Sequence, residues 1–307
     1  MKEDNVKVGL LTSSPKSYKN SRFIEELKKR GHKPVLINYL NCYCSLSADY
    51  PMAYYKGKSL SDIDAVIPQI AVSSTDWGAA IIRQFEMMGA ATIVGSLALL
   101  RARDKERELQ LLSRRGFDLP RTAFTHSSSG ASSLVKMVGG APLIIKVTRG
   151  SLGRGVMLAE TDKAAVSTIE AFFSQSVDIL IQEYIEESQG SDIRAFVVDG
   201  KVVAAMERKA AEGEFRSNMY KGGSATQIKL TTAERRLAIT AAKTLHLPVA
   251  GVDIIQSERG PLIMEVNACP NIEGIEKATG VNVAGLIVEY LEKRAYSKKR
   301  LKDKVGV

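Results

Sequence analysis

The stretch that most constrains the fold is residues 252–276, Val-Asp-Ile-Ile-Gln-Ser-Glu-Arg-Gly-Pro-Leu-Ile-Met-Glu-Val-Asn-Ala-Cys-Pro-Asn-Ile-Glu-Gly-Ile-Glu. Two apolar runs flank the polar segment 257–260, the alternation and turn chemistry of a β-hairpin. Side chains alternate faces along a strand, so Glu265 and Asn267 point the same way, and a paired first strand sets Asp253 beside them. Carboxylate and amide oxygens that converge without Cys or His make a hard-cation site suited to Mg2+ or Mn2+. From this stretch alone, two exposed acids on a hairpin is an equally good reading.

Upstream residues tip the balance. A strand is expected over 142–147, then Thr148-Arg149-Gly150-Ser151-Leu152-Gly153-Arg154-Gly155, then a resumed strand over 156–159. Gly150, Gly153 and Gly155, with Ser151 among them, let the backbone approach a ligand closely and offer N–H groups to phosphate. The order G-x-x-G-x-G joins two strands, so it is not the dinucleotide fingerprint. Lys146 ends the strand entering this loop, where its ammonium reaches the same phosphates; an apolar strand does not otherwise welcome a charge. Together they make nucleotide binding the leading reading.

In the N-terminal third, strands expected over 6–12, 34–37, 64–70 and 91–94 alternate with helices over 21–30 and 75–88, the rhythm of a small parallel α/β domain. Gly57-Lys58-Ser59 looks like the end of a P-loop, but Met52 stands where its first glycine belongs and no apolar strand precedes it. Asp104 is placed to cap a helix reaching Arg115. Lys105 then sits at the positive end of that helix dipole, misplaced unless an anion approaches; a surface lysine is the other reading. Further on come a Thr161-capped helix and a strand ending in Gln182-Glu183-Tyr184-Ile185. A hairpin about Asp199-Gly200, a Thr231-x-x-Glu234 capping box and a last helix over 283–294 complete the pattern. Asp192 and Arg194 share a strand face, and the long polar segment 209–223, functional or disordered, carries Arg216, Ser217 and Asn218.

Composition narrows the setting. At 307 residues the chain suits two or three domains. No apolar run reaches membrane-spanning length and the start lacks a secretory segment, so the expectation is a cytoplasmic protein with no membrane partner. Cys42, Cys44 and Cys269 make neither a disulfide framework nor a zinc set. Of the net charge of +9, seven Lys or Arg against Asp303 put +6 in residues 293–307. That tail reads as a solvated end, or as a weak attractor for an acidic partner such as ribosomal RNA or a glutamate-rich peptide.

At this point the parts resemble the ATP-grasp ligases, and in particular the RimK type, which adds glutamate to the C-terminus of a ribosomal protein. The resemblance spans nearly the whole chain. It is carried by Arg101-Ala102-Arg103-Asp104-Lys105, Gly190-Ser191-Asp192-Ile193-Arg194, Gly213-Glu214-Phe215-Arg216-Ser217-Asn218, Ala250-Gly251-Val252-Asp253 and Met264-Glu265-Val266-Asn267-Ala268. It implies an ATP-grasp fold: a Rossmann-like pre-ATP-grasp α/β domain (1–99), then two α+β lobes (100–185 and 186–307) that clamp ATP. It further implies that Lys105, Lys146 and the glycine loop bind phosphates, that Glu183, Tyr184 and Ile185 meet adenine, and that Asp192 binds nucleotide. Arg216, Ser217 and Asn218 would contact the phosphate end, and Asp253, Glu265 and Asn267 would hold two Mg2+ or Mn2+ ions. Arg194, Arg208 and Arg216 are the catalytic candidates, with salt-bridging as the other reading of Arg194 and Arg208.

The implied reaction joins L-glutamate to a protein or peptide C-terminus through an acyl phosphate, in a homotetramer. Ligation of glutamate or another amino acid to a small carboxylate competes with it, as does a non-catalytic nucleotide-binding regulatory role. The sequence departs from the family pattern at Cys269 and Asn271, where serine and glycine are usual, and at Gln69, where relatives carry arginine.

Overall fold

The computed structural model describes residues 5–47, 51–127, 130–148, 155–211 and 222–296. Near the N-terminus, β1 (Lys7–Thr12), α1 (Tyr18–Lys29) and β2 (Lys33–Ile37) open a parallel sheet. β3 (Cys42–Ser45), β4 (Met52–Tyr55) and β5 (Lys58–Ser59) form a separate antiparallel sheet. β6 (Ala65–Gln69), α2 (Thr75–Met87) and β7 (Ala91–Thr92) then complete the parallel sheet, in the order β2-β1-β6-β7. Val8, Leu10, Leu11, Val66 and Ile67 are almost wholly buried, as a sheet covered on both faces requires. Helix α1 begins earlier than the expected Ser21, because Ser17 caps it by accepting from the Asn20 N–H at 3.4 Å. The three-stranded sheet was not foreseen, and it disposes of the P-loop look-alike: Lys58 and Ser59 are strand β5, with no helix after them.

Helices α3 (Ser96–Arg103) and α4 (Lys105–Arg114) lead into a four-stranded antiparallel sheet. It comprises β8 (Thr122–Thr125), β9 (Leu143–Val147), β10 (Val156–Ala159) and β11 (Ile179–Glu183) in the order β10-β9-β11-β8, with α5 (Ala131–Met137) and α6 (Asp162–Ser174). This small lobe has its own core, around Val135, Leu143, Ile145, Ile169 and Ile181.

The last sheet is five-stranded and antiparallel: β12 (Ser191–Val198), β13 (Lys201–Lys209), β14 (Ser224–Gln227), β15 (Val249–Ser257) and β16 (Gly260–Asn267), ordered β14-β13-β12-β15-β16. Around it lie α7 (Thr232–Thr244), α8 (Glu273–Thr279) and α9 (Val283–Tyr296). The expected Thr231–Glu234 capping box is present, and Asp199 and Gly200 both take positive φ in the β12–β13 turn. The apolar side of this sheet shares one continuous core with the N-terminal domain, running from Val8 and Phe23 through Leu99 and Leu112 to Phe196, Val252 and Leu291. Helix α4, assigned from sequence to the small lobe, takes its packing from β16 and α7. No described helix is long and apolar enough to cross a membrane.

Candidate active site

The candidate residues come together across one face of the five-stranded sheet because antiparallel register lines them up. Asp192 lies opposite Arg208, Arg194 opposite Asp253, and Asp253 opposite Glu265; Asn267, two residues beyond Glu265, lies opposite Gly251. A shift in register between Asp253 and Ile254 falls directly beside the cluster, as β-bulges near sites often do. Gly251 is needed here: a Cβ would meet Pro270 at 3.0 Å and the Arg194 stem at 3.7 Å.

The charges interlock. Arg194 Nε and Nη2 donate to Asp253 Oδ1 and Oδ2 at 2.7 and 2.5 Å, and Arg208 Nε and Nη2 donate to the two Asp192 oxygens, both at 2.6 Å. Arg208 Nη2 also stands 3.1 Å from Asp253 Oδ2. Burial opposes the charge on Asp253, but Arg194 and then Arg208 outweigh it and hold the carboxyl below its ordinary range. Burial likewise opposes Arg208, and Asp253 and Asp192 reverse the effect and raise its pKa. These two-pronged pairs fix the guanidinium planes as single hydrogen bonds would not.

Facing this array is Lys146 on β9, whose Nζ donates to Gln182 Oε1 at 2.6 Å. Its pKa falls to about 8, through burial first and the Lys105 charge second, while Glu265, Glu108 and Asp253 pull the other way. Lys105 opens α4, whose cap is the expected one: Asp104 accepts from the Arg107 N–H at 2.9 Å. Lys105, Lys146, Asp253 and Glu265 therefore share one electrostatic neighbourhood.

Sequence reasoning missed Glu108. It is buried, on the same helical face as Lys105, and accepts a hydrogen bond from the backbone N–H of Val266 on edge strand β16. Burial raises its pKa well above the carboxylate range, and the charges of Glu265 and Asp253 add to the effect. The only local signal was a carboxylate one turn after Lys105; its partner lies 158 residues away.

Among the described residues no group of three or more His, Cys, Asp or Glu side chains is set to hold a metal ion. The set here is two carboxylates and an amide, with Asn267 Nδ2 3.4 Å from Asp253 Oδ2. It fits Mg2+ or Mn2+, which take few protein oxygens and fill their shell from phosphates and water. The charges of Glu265 and Asp253, which add to the effect of burial on Glu108, are what such a cation would relieve.

The remaining described candidates stand apart from this cluster. Glu183 is held by Arg259 and by the Arg121 N–H at 2.7 Å; burial raises its pKa, and these partners lower it overall. Tyr184 is partly buried, and Ile185 packs with Ile255, Leu262 and Met264 in a small apolar cluster. Gly155, at φ +71, packs against Val147 where β10 begins. Gly150, Ser151, Gly153, Arg216, Ser217 and Asn218 lie outside the described residues.

Two antiparallel sheets, with Lys146 of one facing carboxylates on the other and a parallel domain sharing the core of the second, make the architecture of an ATP-grasp enzyme. The solved structure of the ATP-grasp ligase PsnB complexed with minimal precursor matches it with a TM-score of 0.75 at 21% identity, over 95% of this chain and 99% of that one. D-alanine–D-alanine ligase from Bacillus anthracis complexed with ATP matches at 0.70 and 19%, over 95% and 98%. Residues 6–99 match the RimK PreATP-grasp domain and residues 102–291 the RimK-like ATP-grasp domain. A probable alpha-L-glutamate ligase of Aliivibrio fischeri (strain MJ11) is 50% identical over 294 residues, 96% of this chain and 98% of the relative. One of Ectopseudomonas mendocina (strain ymp) is 52% identical over 290 residues, 94% and 96%. The chain belongs to the RimK family of ATP-grasp enzymes and is an ATP-dependent carbon–nitrogen ligase.

Proposed function

We propose that the enzyme joins the amine of L-glutamate to the C-terminal carboxylate of a protein or peptide, with a ribosomal protein as the acceptor by family resemblance. The observation that carries this is the pairing of half-identical glutamate ligases over nearly the full chain with an intact candidate set: Lys105, Lys146, Asp253, Glu265 and Asn267. A protein that only bound nucleotide would tolerate loss of a metal ligand.

The acceptor carboxylate takes the terminal phosphoryl group of ATP, giving an acyl phosphate and ADP. The glutamate amine then attacks the acyl carbon, loses a proton, and inorganic phosphate leaves. Negative charge concentrates on the transferring group, so fixed cations supply most of the help. Lys105 and Lys146 serve the phosphates. Arg194 and Arg208, each with N–H groups beyond those given to Asp253 and Asp192, serve the acyl phosphate or the incoming carboxylate. Asp253, Glu265 and Asn267 would hold Mg2+ or Mn2+, two ions by resemblance, which neutralise phosphate charge. The glycine loop with Gly150, Ser151, Gly153 and Gly155, together with Arg216, Ser217 and Asn218, completes the phosphate end in this reading. Glu183, Tyr184, Ile185 and Asp192 contact the nucleoside. A cytoplasmic setting and a homotetramer belong to the same reading; light scattering measures the latter.

The test is ADP release with ATP and Mg2+, with and without L-glutamate and a peptide ending in glutamate, with peptide mass read in the same tubes. Glutamate-dependent ADP release with added glutamyl residues is the expected result. Release without peptide growth would move the acceptor to glutamate itself or a small carboxylate, and ATP binding without turnover would end the glutamate reading.

A further inference from the structure

Two cationic side chains at the interface of the N-terminal domain and the last sheet carry N–H groups with no hydrogen-bond partner among the described residues. Arg103, closing α3, donates through Nη2 to the Ile70 carbonyl at 2.9 Å, while its Nε is buried with no hydrogen-bond partner. Lys19 sits in the first turn of α1, a turn without an acidic residue, and among the described residues its ammonium has no hydrogen bond or ion pair. A lysine there faces the positive helix end, and a buried guanidinium N–H without an acceptor is costly. Burial lowers the Lys19 pKa, as does the nearby Arg103 charge, while Cys269 opposes them.

Lys19 stands where ligands bind in open parallel sheets, outside the carboxyl ends of the strands. Lys19 lines a narrow, largely apolar pocket, of which Pro68, Gln69, Ala268, Cys269 and Pro270 form part of the wall. The far wall begins one residue after Asn267, and Pro270 packs toward Gly251 and Arg194. Two of the positions that depart from the family pattern, Gln69 and Cys269, meet in this pocket. Gln69 gives its Nε2 to Asn20 Oδ1 at 2.6 Å and Cys269 Sγ contacts the Pro68 carbonyl at 3.6 Å, so neither supplies the missing anion.

We propose that Lys19 anchors a subsite for a substrate carboxylate other than the one being activated. This rests on the reading above, in which both substrates carry carboxylates. The carboxylate comes either from the amino acid that supplies the amine or from a glutamate side chain of the acceptor. Lys19 is the residue to test, because it contributes charge to the pocket while Arg103 also holds the Ile70 carbonyl.

Steady-state kinetics of the full chain and of Lys19→Met, with ATP and Mg2+, separate the sources. An increase of about 10- to 100-fold in KM for L-glutamate, with kcat and KM for ATP little changed, assigns the subsite to the amino acid. The same increase for a peptide ending in glutamate, and none for one ending in glutamine, assigns it to the acceptor. Lys19→Arg should restore KM to within about threefold, since it returns the charge-assisted donor. Unchanged KM values for both substrates overturn the proposal. If Lys19→Met does not fold, Lys19→Gln takes its place. If the wild-type chain turns over neither substrate, the glutamate reading falls, and calorimetric titration with glutarate, a bare dicarboxylate, decides the subsite. Binding lost in Lys19→Met upholds it; binding that is absent, or indifferent to Lys19, ends it.

Discussion

The large body and the small lobe of this enzyme handle buried charge in opposite ways. On the five-stranded sheet, Arg194, Arg208, Asp192 and Asp253 arrive as matched, two-pronged ion pairs, settled before any ligand comes. In the small lobe the one hydrogen-bond partner of Lys146 among the described residues is the neutral Gln182, and its ordinary charged state is opposed by burial. The body matches its charges within the protein, whereas the lobe gives its cation a neutral partner. The cores follow the same division, since the lobe packs around its own residues and the body shares one core with the N-terminal domain.

Removing a member of the matched array should do the most damage. Asp253→Ala leaves Arg194 and Arg208 buried beside a missing carboxylate, with an expected stability loss of about 3–5 kcal/mol. It also removes a proposed metal donor, so turnover should fall at least about 1000-fold. Urea unfolding and ADP release measure the two effects, and a fully stable Asp253→Ala protein would break the contrast.

Lys146→Met should show the reverse profile, with kcat/KM for ATP down about 100- to 1000-fold and stability unchanged or slightly raised. Its pH signature follows from a pKa of about 8 against an ordinary 10.5. Between these values the unfolded chain holds a proton that the folded one has released, so this group's contribution to stability rises with pH across the window. Phosphate binding needs the charged form, so ATP affinity should weaken as pH climbs past about 8, and Lys146→Met should flatten that profile. A calorimetric pH series on both proteins tests this.

Glu108 sharpens the comparison from inside the body. Glu108→Gln keeps an oxygen to accept from the Val266 N–H, so it should fold almost as well as wild type. Glu108→Ala strands the Val266 N–H and should cost about 1–3 kcal/mol in chemical denaturation. At the small end, Arg259→Ala removes a partly exposed partner of Glu183 and should shift stability by less than about 1 kcal/mol.

What could be read from the chain beforehand was whatever local chemistry sets. The 252–267 hairpin, the Asp104 and Thr231 caps and the Asp199-Gly200 turn follow from residues within a few positions of one another, and all are present. The convergence of Asp253 and Glu265 was legible for the same reason, since one hairpin sets their register. The pairing of Arg208 with both Asp192 and Asp253 needed the order of strands in the sheet, which no local pattern carries. The role of Glu108 and the surroundings of Lys19 were invisible because each depends on segments remote in the chain. The β3–β5 sheet escaped notice because its strands are short and its Tyr-rich run lacks clean alternation.

The shared core has a consequence for how the protein is made. Helix α9 closes over α1 and β7, and beside α1 His32 Nε2 meets Glu292 Oε1 at 2.7 Å across 260 residues, with Arg30 on the same carboxylate. A ribosome adding about 5–20 residues per second needs roughly 10–50 s to travel that far. Throughout that interval the N-terminal sheet stands with one flank uncovered, waiting for the last helix. The small lobe, whose core residues lie within one contiguous stretch of chain, can complete itself in the meantime.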